Sequence, residues 1–214
     1  MVTISIFSKA VALGEPFGLE VAHAAQVSRL ALDLFDQLQP LHRMGNTERI
    51  WLRAAALLHD VGKAQNPREH HKVARDIIIN SPELPFRWEE RLLIALIARY
   101  HRGPLPRDGH AYYCDLDPEA RNDVRKLAAL LRLADSLDKG RSGLVAGLRC
   151  TIRPQSVLIG VESRDLLSIG KVMSKADLFQ RVFERSVVVR VEIVREYPHW
   201  PLEFDDHAVY AMAS

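Results

Sequence analysis

Apolar residues recur every three or four positions along five segments of the chain, which is the spacing of one buried face of an α-helix. The segments are residues 19–39, 47–60, 70–80, 88–100 and 118–139. Pro40, Pro67 and Pro104 lie in the gaps, where proline prevents a helix from continuing. The sequence therefore predicts a mainly α protein, with residues 1–143 forming a domain built as a helical bundle.

The second segment is apolar on almost all sides. Arg53 is the single polar residue between Trp51 and Leu58, and a helix of this kind belongs in the middle of a core. Thr47 is predicted to cap its N-terminus. We therefore expect this helix at the centre of the bundle, with Trp51 and Trp88 inside the core.

The two ends of the chain depart from this helical pattern. Residues 1–18 are predicted to form a lead-in that is extended over residues 2–7 and then broken by glycine and proline. After residue 143, short apolar runs and alternating valines predict strands. These strands are residues 145–152, 157–161 and 186–194, with a helix at 175–184. The sequence therefore predicts a small α+β appendage of β-β-α-β order, residues 144–214.

The composition excludes several classes of function. A formal charge of +2, from 29 basic and 27 acidic residues, lacks the concentrated basic patch of a nucleic-acid-binding protein. Cys114 and Cys150 form neither a disulfide framework nor a zinc pattern. No apolar run reaches the roughly 18 residues of a membrane-spanning helix, and the N-terminus lacks the basic start of a signal peptide. We therefore expect a cytoplasmic protein without a membrane segment.

Ionisable side chains interrupt the apolar faces of four predicted helices. They are His23, His59, His101 and Asp135, and Asp60 adjoins His59. Burying so many ionisable groups costs several kcal/mol each unless they are compensated. A divalent cation compensates them together, because it takes neutral imidazoles and carboxylates as ligands. Mixed nitrogen and oxygen donors suit one or two ions of Mn²⁺, Fe²⁺, Co²⁺, Ni²⁺ or Zn²⁺ better than Ca²⁺.

The order of these residues resembles the H…HD…D signature of the HD superfamily of metal-dependent phosphohydrolases. The resemblance implies an all-helical domain in which four side chains ligate one metal ion. These are His23, His59, Asp60 and Asp135. It also implies His71 and His101 as ligands of a second ion, with Asp60 as the bridge. His70 stays open as an alternative to His71, because the two histidines are adjacent in the sequence.

Several segments also resemble the C-terminal helical half of the exopolyphosphatase/guanosine-pentaphosphatase (Ppx/GppA) family. They are residues 57–63 (LLHDVGK), 70–72, 98–103 (ARYHRG), 125–137 and 176–179. Members of that family hydrolyse polyphosphate or guanosine pentaphosphate in an N-terminal actin-like domain, which this sequence does not contain. The resemblance therefore implies HD-type metal chemistry and a homodimer, while exopolyphosphatase activity is not transferred.

The resemblance implies hydrolysis of a phosphorylated small molecule, such as a nucleotide, by water that the metal activates. Asp60 and Lys63 are the expected catalytic residues, and Lys63 is also the first candidate for a phosphate contact. Arg102, Lys139 and Arg141 are further candidates for substrate binding. Two other functions stay open: a non-catalytic module that binds a nucleotide or polyphosphate, and a partner subunit for a separate actin-like phosphatase domain.

Overall fold

The protein is a helical bundle followed by a small three-stranded sheet, as seen in a computed structural model that describes residues 5–194. The helices are α1 (Ile6–Gly14), α2 (Val21–Gln37), α3 (Gln39–His42), α4 (Asn46–Leu58), α5 (His70–Ile79), α6 (Trp88–Arg99), α7 (Pro118–Leu137), α8 (Ile169–Met173) and α9 (Asp177–Phe183). The strands are β1 (Val145–Ile152), β2 (Ser156–Ser163) and β3 (Ser186–Ile193). The mainly α fold class with a small α+β appendage is thereby confirmed.

The N-terminal lead-in is helical, so the prediction of an extended segment is wrong within the described residues. Residues 2–4 of that predicted segment lie outside them. The hydroxyl oxygen of Ser5 accepts a hydrogen bond of 3.1 Å from the backbone N–H of Ser8 and caps α1. Ala10 and Leu13 are buried at helical spacing. Pro16 and Gly18 follow α1 and do not prevent it from forming.

Helix α4 occupies the centre of the bundle, as its apolar sequence predicts. It packs against α1, α2, α6 and α7, and Leu52, Ala55 and Leu58 are completely buried. The helix starts at Asn46, and the carboxylate of Glu48 accepts the N–H of Gly45 at 2.7 Å, so the prediction of a Thr47 cap is wrong. Because Leu58 is the last residue of α4, the C-terminal end of the helix lies deep in the bundle.

The two tryptophans of the bundle differ from the prediction. Trp51 is half-buried, while Trp88 is 50 % exposed. Trp88 is the first residue of α6, where the carboxylate of Glu90 accepts the N–H of Arg87 at 3.0 Å. The first residue of a capped helix lies at the edge of the bundle, which explains why this apolar ring is outside the core.

The sheet has β2 at its centre, antiparallel to β1 and parallel to β3. A parallel pair needs a crossover connection, and α8 and α9 supply it between β2 and β3. Val157, Ile159 and Val161 of β2 are buried and belong to the same core as the helices. The predicted β-β-α-β order is thereby confirmed, with one additional short helix.

Polar contacts join the sheet and its crossover to the bundle. Gln26 and Arg29 of α2 both donate to the carbonyl of Val145 at 2.7 Å. Arg132 of α7 donates to both carboxylate oxygens of Asp177 in α9, at 3.1 and 3.2 Å. The division into domains at residue 143 stays a prediction, and residues 195–214 of the second one lie outside the described part of the chain.

No helix within residues 5–194 combines the length and the apolarity that crossing a membrane requires.

Candidate metal centre

The His59–Asp60 pair lies in the turn that follows α4. Both side chains are buried. Gly62, two residues later, has φ +87°, a conformation that side-chain-bearing residues rarely adopt. A Cβ atom on Gly62 would also come within 2.4 Å of the Val73 side chain. Gly62 therefore lets the turn bring α5 close to the pair, and α5 begins with His70.

The carboxylate of Asp60 is surrounded by imidazole nitrogens. Its Oδ1 atom lies 3.0 Å from Nε2 of His70, 3.7 Å from Nε2 of His59 and 3.8 Å from Nε2 of His101. Its Oδ2 atom lies 3.9 Å from Nε2 of His23. These four histidines come from four different segments of the chain, so Asp60 is where α2, α4, α5 and α6 converge.

Asp135 of α7 completes the cluster. Its Oδ1 atom lies 3.6 Å from Nε2 of His23 and 3.6 Å from Nε2 of His59. The Asp135 side chain is 21 % exposed, while the side chains of His23 and His59 are almost completely buried. The cluster is therefore closed by histidines on the inside and open to solvent beside Asp135.

The four histidines of the cluster use their Nδ1 atoms in the same way. Nδ1 of His59, His101 and His70 lies 2.7, 2.7 and 2.9 Å from the carbonyls of Ala56, Ala98 and Pro67, respectively. Nδ1 of His23 lies 2.7 Å from Oδ2 of Asp138. Since carbonyl and carboxylate oxygens only accept, each Nδ1 carries the proton and donates it. In the neutral ring each Nε2 then offers a lone pair to the cluster.

Two of these Nε2 atoms fit a metal ion especially well. Nε2 of His23 and of His59 is buried and has no hydrogen-bond partner, and such atoms are rare in proteins unless a ligand or water satisfies them. There are two sets of three residues in which the donor atoms all lie within 4.8 Å of one another. They are His23, His59 and Asp60, and Asp60, His70 and His101. Asp60 belongs to both sets, so the buried cluster could hold one or two divalent ions.

His70, rather than its neighbour His71, lies against Asp60. The ring of His71 faces the loop after α6, where a Cβ atom on Gly103 would come within 3.1 Å of Nε2. The ring centroids of His71 and His101 are 6.5 Å apart. Adjacent residues in a helix point about 100° apart, so only one of the two histidines can face Asp60. The sequence offers no signal for choosing between them.

The carboxylates set the protonation of the cluster. Burial lowers the pKa of His23, but the neighbouring carboxylates of Asp135 and Asp138 outweigh it and raise that pKa to about 9. Burial and the charge of His59 hold the pKa of His101 well below 6.5. Burial raises the pKa of Asp60, yet the neighbouring histidines and Arg141 bring it below its usual range. A metal ion at His23 must displace a proton, so its binding weakens as the pH falls.

Three of the four predicted substrate-binding cations lie beside the cluster. Nζ of Lys63 is 3.8 Å from Oδ2 of Asp60, and the guanidinium of Arg141 also pairs with Oδ2. Nη1 of Arg102 lies 3.5 Å from both ring nitrogens of His70. Lys139 is exposed just after α7. Positive charge is therefore arranged around the histidines and carboxylates.

Glu20 and Asp138 also belong to the site, although neither was predicted from the sequence to have a role there. Glu20 lies 3.6 Å from Nζ of Lys63 and 2.5 Å from Nη1 of Arg141, so it helps to position both cations. Asp138 is 3 % exposed, and its second oxygen accepts the N–H of Gly143 at 2.9 Å. Asp138 lies three residues after Asp135, and residues at this spacing share one face of a helix. This spacing is the sequence signal that could have identified Asp138 as part of the site.

We predict that Asp138→Ala weakens metal binding about 10- to 100-fold, because a carboxylate that orients a ligating histidine has this effect. Asp138→Asn keeps an oxygen that can accept from Nδ1 of His23, and we expect a smaller loss. Titration of each protein with Mn²⁺ measures the affinity, with circular dichroism as the check on folding. Equal affinity in the wild type and the alanine variant would contradict the role of Asp138.

Comparison with known proteins identifies the family. No curated protein matches the sequence. Residues 8–178 match the family model Ppx/GppA phosphatase, domain III. The match covers most of the chain and includes every residue of the cluster described above. The chain therefore belongs to the Ppx/GppA phosphatase domain III family.

Proposed function

We propose that the protein is an HD-type, metal-dependent phosphohydrolase that acts on a nucleotide or another phosphorylated small molecule. The observation that carries this proposal is the convergence of four buried histidines on Asp60, each with Nδ1 already hydrogen-bonded and Nε2 directed into the cluster. Membership of a phosphatase family supports a phosphorylated substrate.

His23, His59, Asp60 and Asp135 would hold one divalent ion. His70 and His101 would hold a second, with Asp60 shared between them, and this assignment replaces His71 by His70. Nitrogen and oxygen donors of this kind suit Mn²⁺, Fe²⁺, Co²⁺, Ni²⁺ or Zn²⁺. A bound ion supplies Lewis-acid chemistry, which activates water and stabilises negative charge on a phosphoryl group.

The cations beside the cluster would bind the substrate. The planar guanidinium of Arg141 can hold two phosphate oxygens at once, while Lys63 offers a compact point charge. Both lie next to Oδ2 of Asp60, so the phosphate group they hold would lie against the cluster. Arg102 flanks His70 on another side, and Lys139 would contact a more distant part of the substrate.

A second function is favoured by the contact between Arg141 and Asp60. This ion pair neutralises the central carboxylate with a side chain of the protein itself. A protein that keeps this pair at all times would bind a nucleotide or polyphosphate without hydrolysing it, as a regulatory module or as the partner of a separate actin-like domain. Such a module would show no gain in melting temperature when Mn²⁺ is supplied.

We expect the wild type to hydrolyse at least one member of a phosphomonoester and phosphodiester panel when Mn²⁺, Co²⁺ or Ni²⁺ is added. Asp60→Ala should lower that activity at least about 100-fold, since losing a shared ligand should exceed the loss from an orienting residue. Asp36→Ala, on the exposed side of α2, is the matched control and should keep full activity. The proposal would be wrong if the wild type were inactive with every metal, or if the Asp60→Ala variant were as active as the wild type.

A further inference from the structure

A second group of basic side chains lies between α5 and α6, next to the metal cluster but outside it. His71 and Arg75 are one turn apart on α5, and Arg99 is the last residue of α6. Helices α5 and α6 pack closely against each other. We refer to His71, Arg75 and Arg99 as the Arg99 cluster.

Arg99 is buried without a counter-ion among the described residues. The residue is only 6 % exposed, and its Nη1 atom is buried with no hydrogen-bond partner. The guanidinium carbon lies 5.4 Å from the centre of the Tyr100 ring, which gives only a weak cation–π contact. A buried and unpaired charge is costly unless a partner compensates it.

The charges around Arg99 increase this cost. Burial lowers the pKa of Arg99, and the positive charge of Arg75 lowers it further. Glu69 and Asp76 act in the opposite direction, but Glu69 already pairs with Lys72 and Asp76 with Arg75. The arrangement therefore has an excess of positive charge that the neighbouring carboxylates do not balance.

His71 adds a second unsatisfied group. Its Nδ1 atom is buried and has no hydrogen-bond partner. An imidazole ring has at least one N–H to donate, whatever its charge.

Arg75 is held in place at the edge of the cluster. It donates two hydrogen bonds, of 2.7 and 3.0 Å, to Asp76. Its guanidinium carbon lies 5.5 Å from the centre of the Tyr112 ring. Tyr112 comes from the loop after α6, so this contact brings the loop against α5. Arg75 is therefore pre-positioned, which lowers the entropic cost of binding an anion.

We propose that the Arg99 cluster is a binding site for a phosphate group, separate from the metal cluster. A phosphate oxygen would accept hydrogen bonds from Arg99 and His71, and the phosphate would offset the positive charge of Arg99 and Arg75. The ring centroid of His71 lies 6.0 Å from that of His70, so the two sites adjoin. The inference deepens the proposed function, because a second phosphate of the same substrate could occupy this site.

Isothermal titration with inorganic phosphate and with pyrophosphate tests the site in EDTA, at constant ionic strength. Removing metal keeps this experiment independent of hydrolysis. Anion binding can therefore be absent in a protein that hydrolyses phosphate esters, and it can be present in a protein that does not. The wild type should bind at least one of the two anions. Arg99→Met should weaken that binding about tenfold or more, because a charged hydrogen bond is lost.

Arg87→Met is the matched control. Arg87 precedes the same helix and is exposed, about 18 Å from Arg99 along α6. It should bind the anions like the wild type. Arg75→Met provides a second test if Arg99→Met does not fold, and it should also weaken binding.

The two probes distinguish the source of the phosphate group. Equal affinity for phosphate and pyrophosphate identifies a site for a single free phosphate, and tighter binding of pyrophosphate identifies a ligand with adjacent phosphates. Either result supports the site. A wild type that binds neither anion, or variants at Arg99 and Arg75 that both bind like the wild type, would overturn it.

Discussion

Replacing His70 with alanine should remove one divalent metal ion from the protein, whereas replacing its neighbour His71 should remove none. Nε2 of His70 lies 3.0 Å from Asp60, while His71 faces Gly103 and belongs to the Arg99 cluster. Loss of a direct ligand should weaken binding of the second ion by at least about 100-fold, which is the upper range of the effect of losing an orienting residue. His71→Ala should keep both affinities within about threefold.

The measurement is bound Mn²⁺ per protein after gel filtration, determined by elemental analysis. Asp60→Ala should lose both ions, because its carboxylate belongs to both sets of donors. His23→Ala should lose only the ion shared with His59. If His71→Ala, and not His70→Ala, lowered the metal content, the assignment of His70 as a ligand would be wrong. Circular dichroism of each variant checks that the helices remain.

Asp177→Ala should lower the free energy of unfolding by about 2 to 3 kcal/mol. Arg132 is 3 % exposed, and its guanidinium pairs with both oxygens of Asp177. Breaking a buried pair from one side costs about 3 to 5 kcal/mol, since the remaining charge is unpaired. We expect less here because Asp177 is 44 % exposed and Arg132 also donates to the carbonyls of Tyr100 and Gly103.

Urea unfolding of the wild type and the variant measures this difference. Asp36→Ala is the matched control, since Asp36 also accepts two hydrogen bonds from one arginine, Arg49, but on the surface. Exposed pairs of this kind contribute about 0 to 1 kcal/mol. Equal losses in the two variants would show that burial of Arg132 does not make its ion pair stronger. A larger loss at Asp177 would confirm that this pair anchors the crossover helices to the bundle.

Most of the fold could be predicted because the apolar periodicity is strong. The helices at α2, α4, α5, α6 and α7 and the three strands all follow from it. Helix α1 was missed because its apolar face is short and is followed by glycine and proline. Trp88 was assigned to the core on the basis of its apolar ring, although a residue at the start of a helix can remain at the surface.

The sequence by itself determined which residue types carry the chemistry. His23, His59, Asp60, His101 and Asp135 lie on apolar faces, and burial of such groups requires a compensating partner. That requirement is local, since it depends on the helix to which each residue belongs. It therefore predicts a cluster without describing the geometry of that cluster.

Only the tertiary structure decided how these residues meet. The choice of His70 depends on the rotation of α5, which the close contact between Gly62 and Val73 helps to set. The role of Asp138 depends on the end of α7 lying beside His23. The isolation of Arg99 within residues 5–194 depends on Glu69 and Asp76 already having other partners. These facts concern distances between segments remote in sequence, and periodicity within one helix carries no information about them.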